Sequence, residues 1–176
     1  MDTTPLVAYI GDNPTMNHAE LCDLLNGSPL AAELSGEQCA VLAQISTVRN
    51  LGDNEVLIEE GQSDNTLYVI LHGKLAVTRD TGTGEWTTLH ILHQGDMAGE
   101  LGFVDGTPHS ATLRAAGEAQ VLELQRDHFE SLLGERPELV YKVMKAIIRT
   151  VHTILRRMNA QYVELTNYIG KIHGRY

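Results

Sequence analysis

Between Val56 and Leu124 the chain is a succession of short apolar runs punctuated by glycine, and few folds accept such a pattern. Val56-Leu57-Ile58 is one run, and residues 66–71, 74–78 and 86–92 are three more. Each is short enough for a strand and is closed by a turn: Glu60-Gly61-Gln62, His72-Gly73, the two glycines within 80–85, and Gln94-Gly95-Asp96. Residues 110–115 and 120–124 alternate apolar and polar positions in the same way. Short strands joined by closely spaced glycine turns build a barrel or a jelly roll, not a βαβ sheet. No apolar run approaches the ~20 residues that span a bilayer. The opening Met-Asp-Thr-Thr-Pro has neither the basic nor the apolar part of a signal peptide.

The flanks have a different period. Residues 1–17, with two prolines and no apolar repeat, are expected to be a loose lead-in. Leucines at 21, 24, 25, 30 and 34 predict short helical pieces broken at Gly27-Ser28-Pro29. Ser35-Gly36-Glu37-Gln38 is a capping box, predicting a helix to about Val48 with Val41, Leu42 and Ile45 buried. After Asp127 the helical period returns. Pro137 suits a first helical position, and no Gly or Pro interrupts before Gly170, the expected stop of a helix of ~50 Å. Positions 140, 144, 147, 151, 154, 158, 161, 165 and 168 alternate four-three spacing, and all but Gln161 are apolar or aromatic. That is a heptad seam, and it predicts a homodimer along 140–168, with Gln161 setting register. The expected organisation is therefore a lead-in at 1–17, a domain at 18–136, a long helix at 137–170 and a tail at 171–176.

The formal charge of −10 opposes generic nucleic-acid binding. It is unevenly spread: residues 1–135 carry 5 basic against 21 acidic side chains, and 136–176 carry 8 against 2. Lys142, Lys145, Arg149, Arg156 and Arg157 are expected to form a solvated face balancing the acidic part, or a dock for an acidic protein partner. Cys22 and Cys39, 17 positions apart, match no metal spacing and read as reduced thiols of a cytoplasmic protein.

The chemistry concentrates in residues 99–112. Gly99 lets the backbone approach a ligand closely. Glu100 projects a carboxylate able to accept hydrogen bonds from a sugar hydroxyl. Residues 101–105 have the length of one helical turn, whose free N–H groups favour an anion. Pro108 stiffens the return, and the N–H groups of Ser110 and Ala111, with the Ser110 hydroxyl, are further donors beside small side chains.

These residues carry a resemblance. Asn54-Glu55-Val56-Leu57-Ile58-Glu59-Glu60-Gly61, then Leu67-Tyr68-Val69-Ile70-Leu71-His72-Gly73-Lys74-Leu75-Ala76-Val77, then Gly95-Asp96 and the 99–112 run are similar to the cyclic nucleotide-binding domain and following helix of the CRP/FNR superfamily. The resemblance implies a mainly β protein with flanking α-helices: a cyclic nucleotide-binding-type β-jelly-roll followed by a long C-terminal dimerisation helix. It implies a cytoplasmic signal-transduction module, regulatory rather than enzymatic, with cAMP or cGMP, or a related small anion, as ligand. Glu100 would meet the ribose 2′-hydroxyl. Gly99, Leu101, Ser110 and Ala111 would contact the cyclic phosphate, and Thr112 would lie near phosphate or base. Arg156, Arg157, Asn159 and Thr166 on the long helix would be candidates for the base.

Two departures qualify the expectation. His109 stands where the family places an arginine, whose two parallel donors grip phosphate at any pH. A histidine is mostly neutral at pH 7, and a lost charge-assisted bond is worth about one to two orders of magnitude in affinity. The alternative is therefore a degenerate pocket on a protein-interaction or dimerisation scaffold. Second, CRP/FNR regulators continue into a helix-turn-helix, whereas six residues follow Gly170, so direct DNA binding is not expected of this chain. No catalytic set and no metal set is evident. His90 and His93 lie three apart in a strand, on opposite faces. Eight scattered histidines identify no haem ligand.

Overall fold

In the computed structural model, residues 18–25, 27–82 and 85–173 are described. The expected lead-in at 1–17 and the last three residues lie outside them, as does part of the 80–85 hairpin tip. Two four-stranded antiparallel sheets form the jelly roll. In the first, β1 (Ser46–Leu51) pairs with β8 (Ala119–Gln125), β8 with β3 (Thr66–His72), and β3 with β6 (Met97–Ala98). The second runs β2 (Val56–Ile58), β7 (Thr112–Ala115), β4 (Lys74–Asp80), β5 (Trp86–His93).

β3 is apolar on both faces because both are covered. Tyr68 and Ile70 join Leu51, Leu75, Leu113 and Val121 between the sheets. Leu67, Val69 and Leu71 join Leu122 and Leu124 of β8 in a second core beneath the helices. The reversal from β3 into β4 requires Gly73, at φ +79°, because a Cβ there would stand 2.3 Å from the Glu118 carbonyl.

The helices close the outer face of the first sheet. α1 (His18–Leu25) and α2 (Gly36–Gln44) contribute Leu21, Leu25, Cys39 and Leu42 to this core. Ser35 caps α2 in the expected box, its Oγ accepting from Gln38 N while Gln38 Oε1 accepts from Ser35 N. The predicted extension of α2 to Val48 is corrected: the helix ends at Gln44, and Thr47 and Val48 enter β1 opposite Glu123 and Leu122. Val41 is half-buried where burial was expected. Cys22 and Cys39 are unbridged, and burial pushes the Cys39 thiol up to about 12.

α3 (Glu100–Asp105) and α4 (Arg126–Glu130) are short, and the latter is not evident from the sequence period. α5 runs from Pro137 to His173, past the expected stop at Gly170. A lone helical glycine costs only ~1 kcal/mol, and Gly170 has no left-handed backbone to end the helix. Leu139, Val140, Val143, Ala146 and Ile147 bury one face of α5 in the helical core. Arg136, just before α5, pairs with Glu37, and within the helix Lys142 pairs with Glu138 and Lys145 and Arg149 both with Glu33. Among the described residues no helix is long and apolar enough to cross a membrane.

Candidate functional site

α3 is held against the start of β3 by close backbone approach. Gly99 precedes it at φ +77°, and a Cβ there would come 2.6 Å from the Thr66 carbonyl and 3.2 Å from the Tyr68 ring. At Gly102 a Cβ would stand 2.7 Å from the Asp64 carbonyl. Any larger side chain would lift α3 off the sheet. Phe103, 2% exposed, anchors it from below against Phe129 of α4, with ring centroids 5.4 Å apart. Arg126 Nη2 donates to the Gly102 carbonyl at 2.6 Å and to Asn65 Oδ1 at 2.7 Å. The Tyr68 hydroxyl donates to Asp64 at 2.5 Å and braces the same corner.

The second arm, residues 109–112, is tied to the turn after β2. His109 N donates to the Gln62 carbonyl at 2.9 Å, and Gly61 N donates to the His109 carbonyl at 2.8 Å. Thr112 Oγ1 accepts from Glu60 N at 3.0 Å. The Thr112 hydroxyl thus serves the framework. Its carbonyl accepts from Thr78 Oγ1 at 3.3 Å.

The sequence-predicted groups lie on these two arms, which meet where the His109 ring approaches Gly102. Glu100 is half-buried, and among the described residues no cation stands within ion-pair distance of it. Burial holds its carboxyl above the usual carboxylate range, partly offset by a hydrogen bond from its own backbone N–H. A carboxylate buried without a cation calls for hydrogen-bond donors. Ser110 is exposed and Ala111 half-buried, and among the described residues neither backbone N–H donates to a protein acceptor. Leu101 is 57% exposed on α3. The His109 ring is turned under α3, so that a Cβ at Gly102 would lie 3.0 Å from its Cε1, and its Nε2 is buried without a partner. The arrangement offers one acceptor carboxylate and a pair of unengaged N–H groups beside small side chains. It suits a ligand carrying both hydroxyls and an anionic group.

The helix residues proposed for a base do not gather at this site in the single chain. Arg156, Asn159 and Thr166 are exposed, and the Thr166 hydroxyl donates to the Tyr162 carbonyl. Arg157 instead meets His90 of β5, Nη1 to Nε2 at 2.5 Å. Burial and the Arg157 charge both lower the His90 pKa. The bracing set of Asp64, Tyr68 and Arg126 was not anticipated. Asn65 and Arg126 lie 61 positions apart, and no local pattern links them.

Comparison with known proteins gives a family from sequence and the matching fold from shape. The profile of the cyclic nucleotide-binding domain matches residues 48–136. The cAMP-dependent protein kinase regulatory subunit of Dictyostelium discoideum is 31% identical over 99 residues, covering 54% of this chain and 30% of that one. The cAMP-activated global transcriptional regulator CRP of Salmonella typhimurium is 30% identical over 117 residues, covering 65% of this chain and 56% of that one. The match thus spans 30 to 56% of the length of these curated relatives. Among solved structures, a cyclic nucleotide-binding domain from Methylobacillus flagellatus superposes with TM-score 0.74 at 24% identity, covering 84% of this chain and 83% of that one. The Thermus thermophilus catabolite activator protein gives 0.68 at 23% identity, covering 79% and 63%.

Proposed function

This chain belongs to the cyclic nucleotide-binding domain family, and on that footing we propose that it is a cytoplasmic ligand-sensing module that takes cAMP or cGMP between α3 and the 109–112 arm. The observation that carries the reading is Glu100: a half-buried carboxylate with no cation beside it, facing the need for donors that a ribose 2′-hydroxyl meets. The unengaged N–H groups of Ser110 and Ala111 take the cyclic phosphate, with Gly99 and Leu101 lining it and Thr112 holding the arm in place. His109 replaces the phosphate-gripping guanidinium with an imidazole that lacks its two parallel donors. Binding is therefore weaker than an arginine at that position would give.

The signal passes to a second copy through the distal part of α5, where Met158, Leu165 and Tyr168 of the seam are 56, 55 and 65% exposed. A chain of this family acts by changing how its helix pair sits, not by catalysis.

A second reading has its own support: with the His109 ring turned under α3, the protein is a dimerisation scaffold with a lapsed pocket. Calorimetric titration of cAMP and cGMP at pH 6 and pH 8 separates the two. Saturable heat is expected. His109→Arg should tighten cAMP binding about tenfold to a hundredfold. No heat at either pH, with none in His109→Arg, overturns the sensor reading and leaves the scaffold.

A further inference from the structure

A crevice of about 170 Å³ lies between α5 and the β5–β6 edge of the barrel, and the 99–112 cassette contributes nothing to its walls. Its floor is apolar: Leu92, Met97 and Ile154. One polar group there is without a partner, and a second carries a charge without a counter-charge.

The first is Thr150. Its hydroxyl oxygen is buried and has no hydrogen-bond partner. Other threonines of α5 do not behave so. Thr153 donates to the Arg149 carbonyl at 3.0 Å, and Thr166 to that of Tyr162 at 2.9 Å. Bonding back to the preceding turn is the usual refuge of a helical threonine. Thr150, in the same helix, lacks it.

The second is Arg157. Its charge is half-buried, and among the described residues no carboxylate lies within ion-pair distance of it. Its close neighbour, His90 Nε2 at 2.5 Å, must accept from the guanidinium and so is neutral. Arg149, on the same rim, differs because Glu33 meets its charge. Asp96 also lines the crevice, but its Oδ2 accepts from His93 N at 2.8 Å. It forms no ion pair with Arg157 among the described contacts.

We infer that this crevice is a second ligand site, for a small organic carboxylate whose oxygens take the spare guanidinium donors of Arg157 and the hydroxyl of Thr150 while its apolar body covers Leu92, Met97 and Ile154. A guanidinium matches a carboxylate edge to edge. Asp96 on the same wall opposes a dianion such as phosphate more strongly than a monoanion. The occupant touches α5 and the barrel at once, so it ties the helix to the sheet just before the exposed distal half begins.

The test titrates the whole chain with benzoate, followed by NMR shifts of residues around 150–157 and by calorimetry, with benzyl alcohol and inorganic phosphate as comparators. Saturable benzoate binding is expected, with the alcohol and phosphate each at least tenfold weaker. Arg157→Gln should weaken benzoate about tenfold to a hundredfold. Thr150→Val should weaken it about fivefold while raising the melting temperature of the unliganded protein, because the buried hydroxyl is gone. No saturable response up to tens of millimolar, or equal affinity in wild type and Arg157→Gln, overturns the site as nonspecific binding. Phosphate binding as tightly as benzoate overturns the carboxylate assignment.

Discussion

The two halves of α5 share one apolar period and meet opposite fates. In the proximal half Val143 is 0% and Ile147 1% exposed. In the distal half Leu165 is 55% and Tyr168 65% exposed. The difference lies in what stands opposite. The proximal face packs on α1, α2 and the outer side of β3 and β8. The distal face has passed the edge of the barrel. A hydrophobic seam states that a face is to be covered and says nothing of what covers it. Fully burying one Leu-sized side chain stabilises by about 1.5–3 kcal/mol, so several uncovered positions constitute a surface ready for a partner.

The largest effect expected from this contrast lies in the proximal half. Ile147→Ala should cost about 2–5 kcal/mol in urea denaturation, through lost burial and a cavity. A loss below about 1 kcal/mol would erase the distinction between the halves. Next comes the distal half. Leu165→Glu combined with Tyr168→Glu should leave the folded circular-dichroism spectrum intact while weakening self-association by about a hundredfold or more in sedimentation. Unfolding of that double variant, or no change in its sedimentation, would break the assignment of the distal face to a second copy.

Glu100 extends the contrast from uncovered apolar surface to unpaired charge. Burial raises its folded-state pKa above the ordinary 4.5, so the folded protein holds that proton more tightly than the unfolded chain. The ionised group therefore subtracts stability progressively as pH rises from about that value through the folded-state pKa. Glu100→Gln should raise the melting temperature at pH 7, and the gap should close as pH falls below the carboxylate range. A gap independent of pH would mean that charge burial is not the cause. The smallest effect is expected from the cap: Ser35→Ala should cost about 1 kcal/mol by fraying α2, part of the cover of the proximal half.

Much of the fold is legible locally. The glycine-punctuated strands, the capping box at Ser35 and the start of α5 at Pro137 are all visible in the order of residues, because each depends on neighbours a few positions away. β1 was not. Residues 46–48 extend the helical period of α2, and only pairing with β8, more than 70 positions later, makes them a strand. β6 has two residues and α4 five, too few for any period to show. At the site, the glycine and carboxylate framework of 99–112 could be read directly. The corner that positions it could not, since Asp64, Tyr68 and Arg126 meet only after β3 and β8 pair.

The sequence by itself determined the type of each long element, the glycines where backbone must pass backbone, and the identity of residue 109. Those are matters of local sterics and period. Only the tertiary structure decided that the His109 ring lies under α3, that Glu100 is half-buried without a cation, and that the cover of α5 stops partway along it. Burial and charge pairing depend on groups far apart in the chain, and their free energies exist only once the sheets and helices have closed on one another.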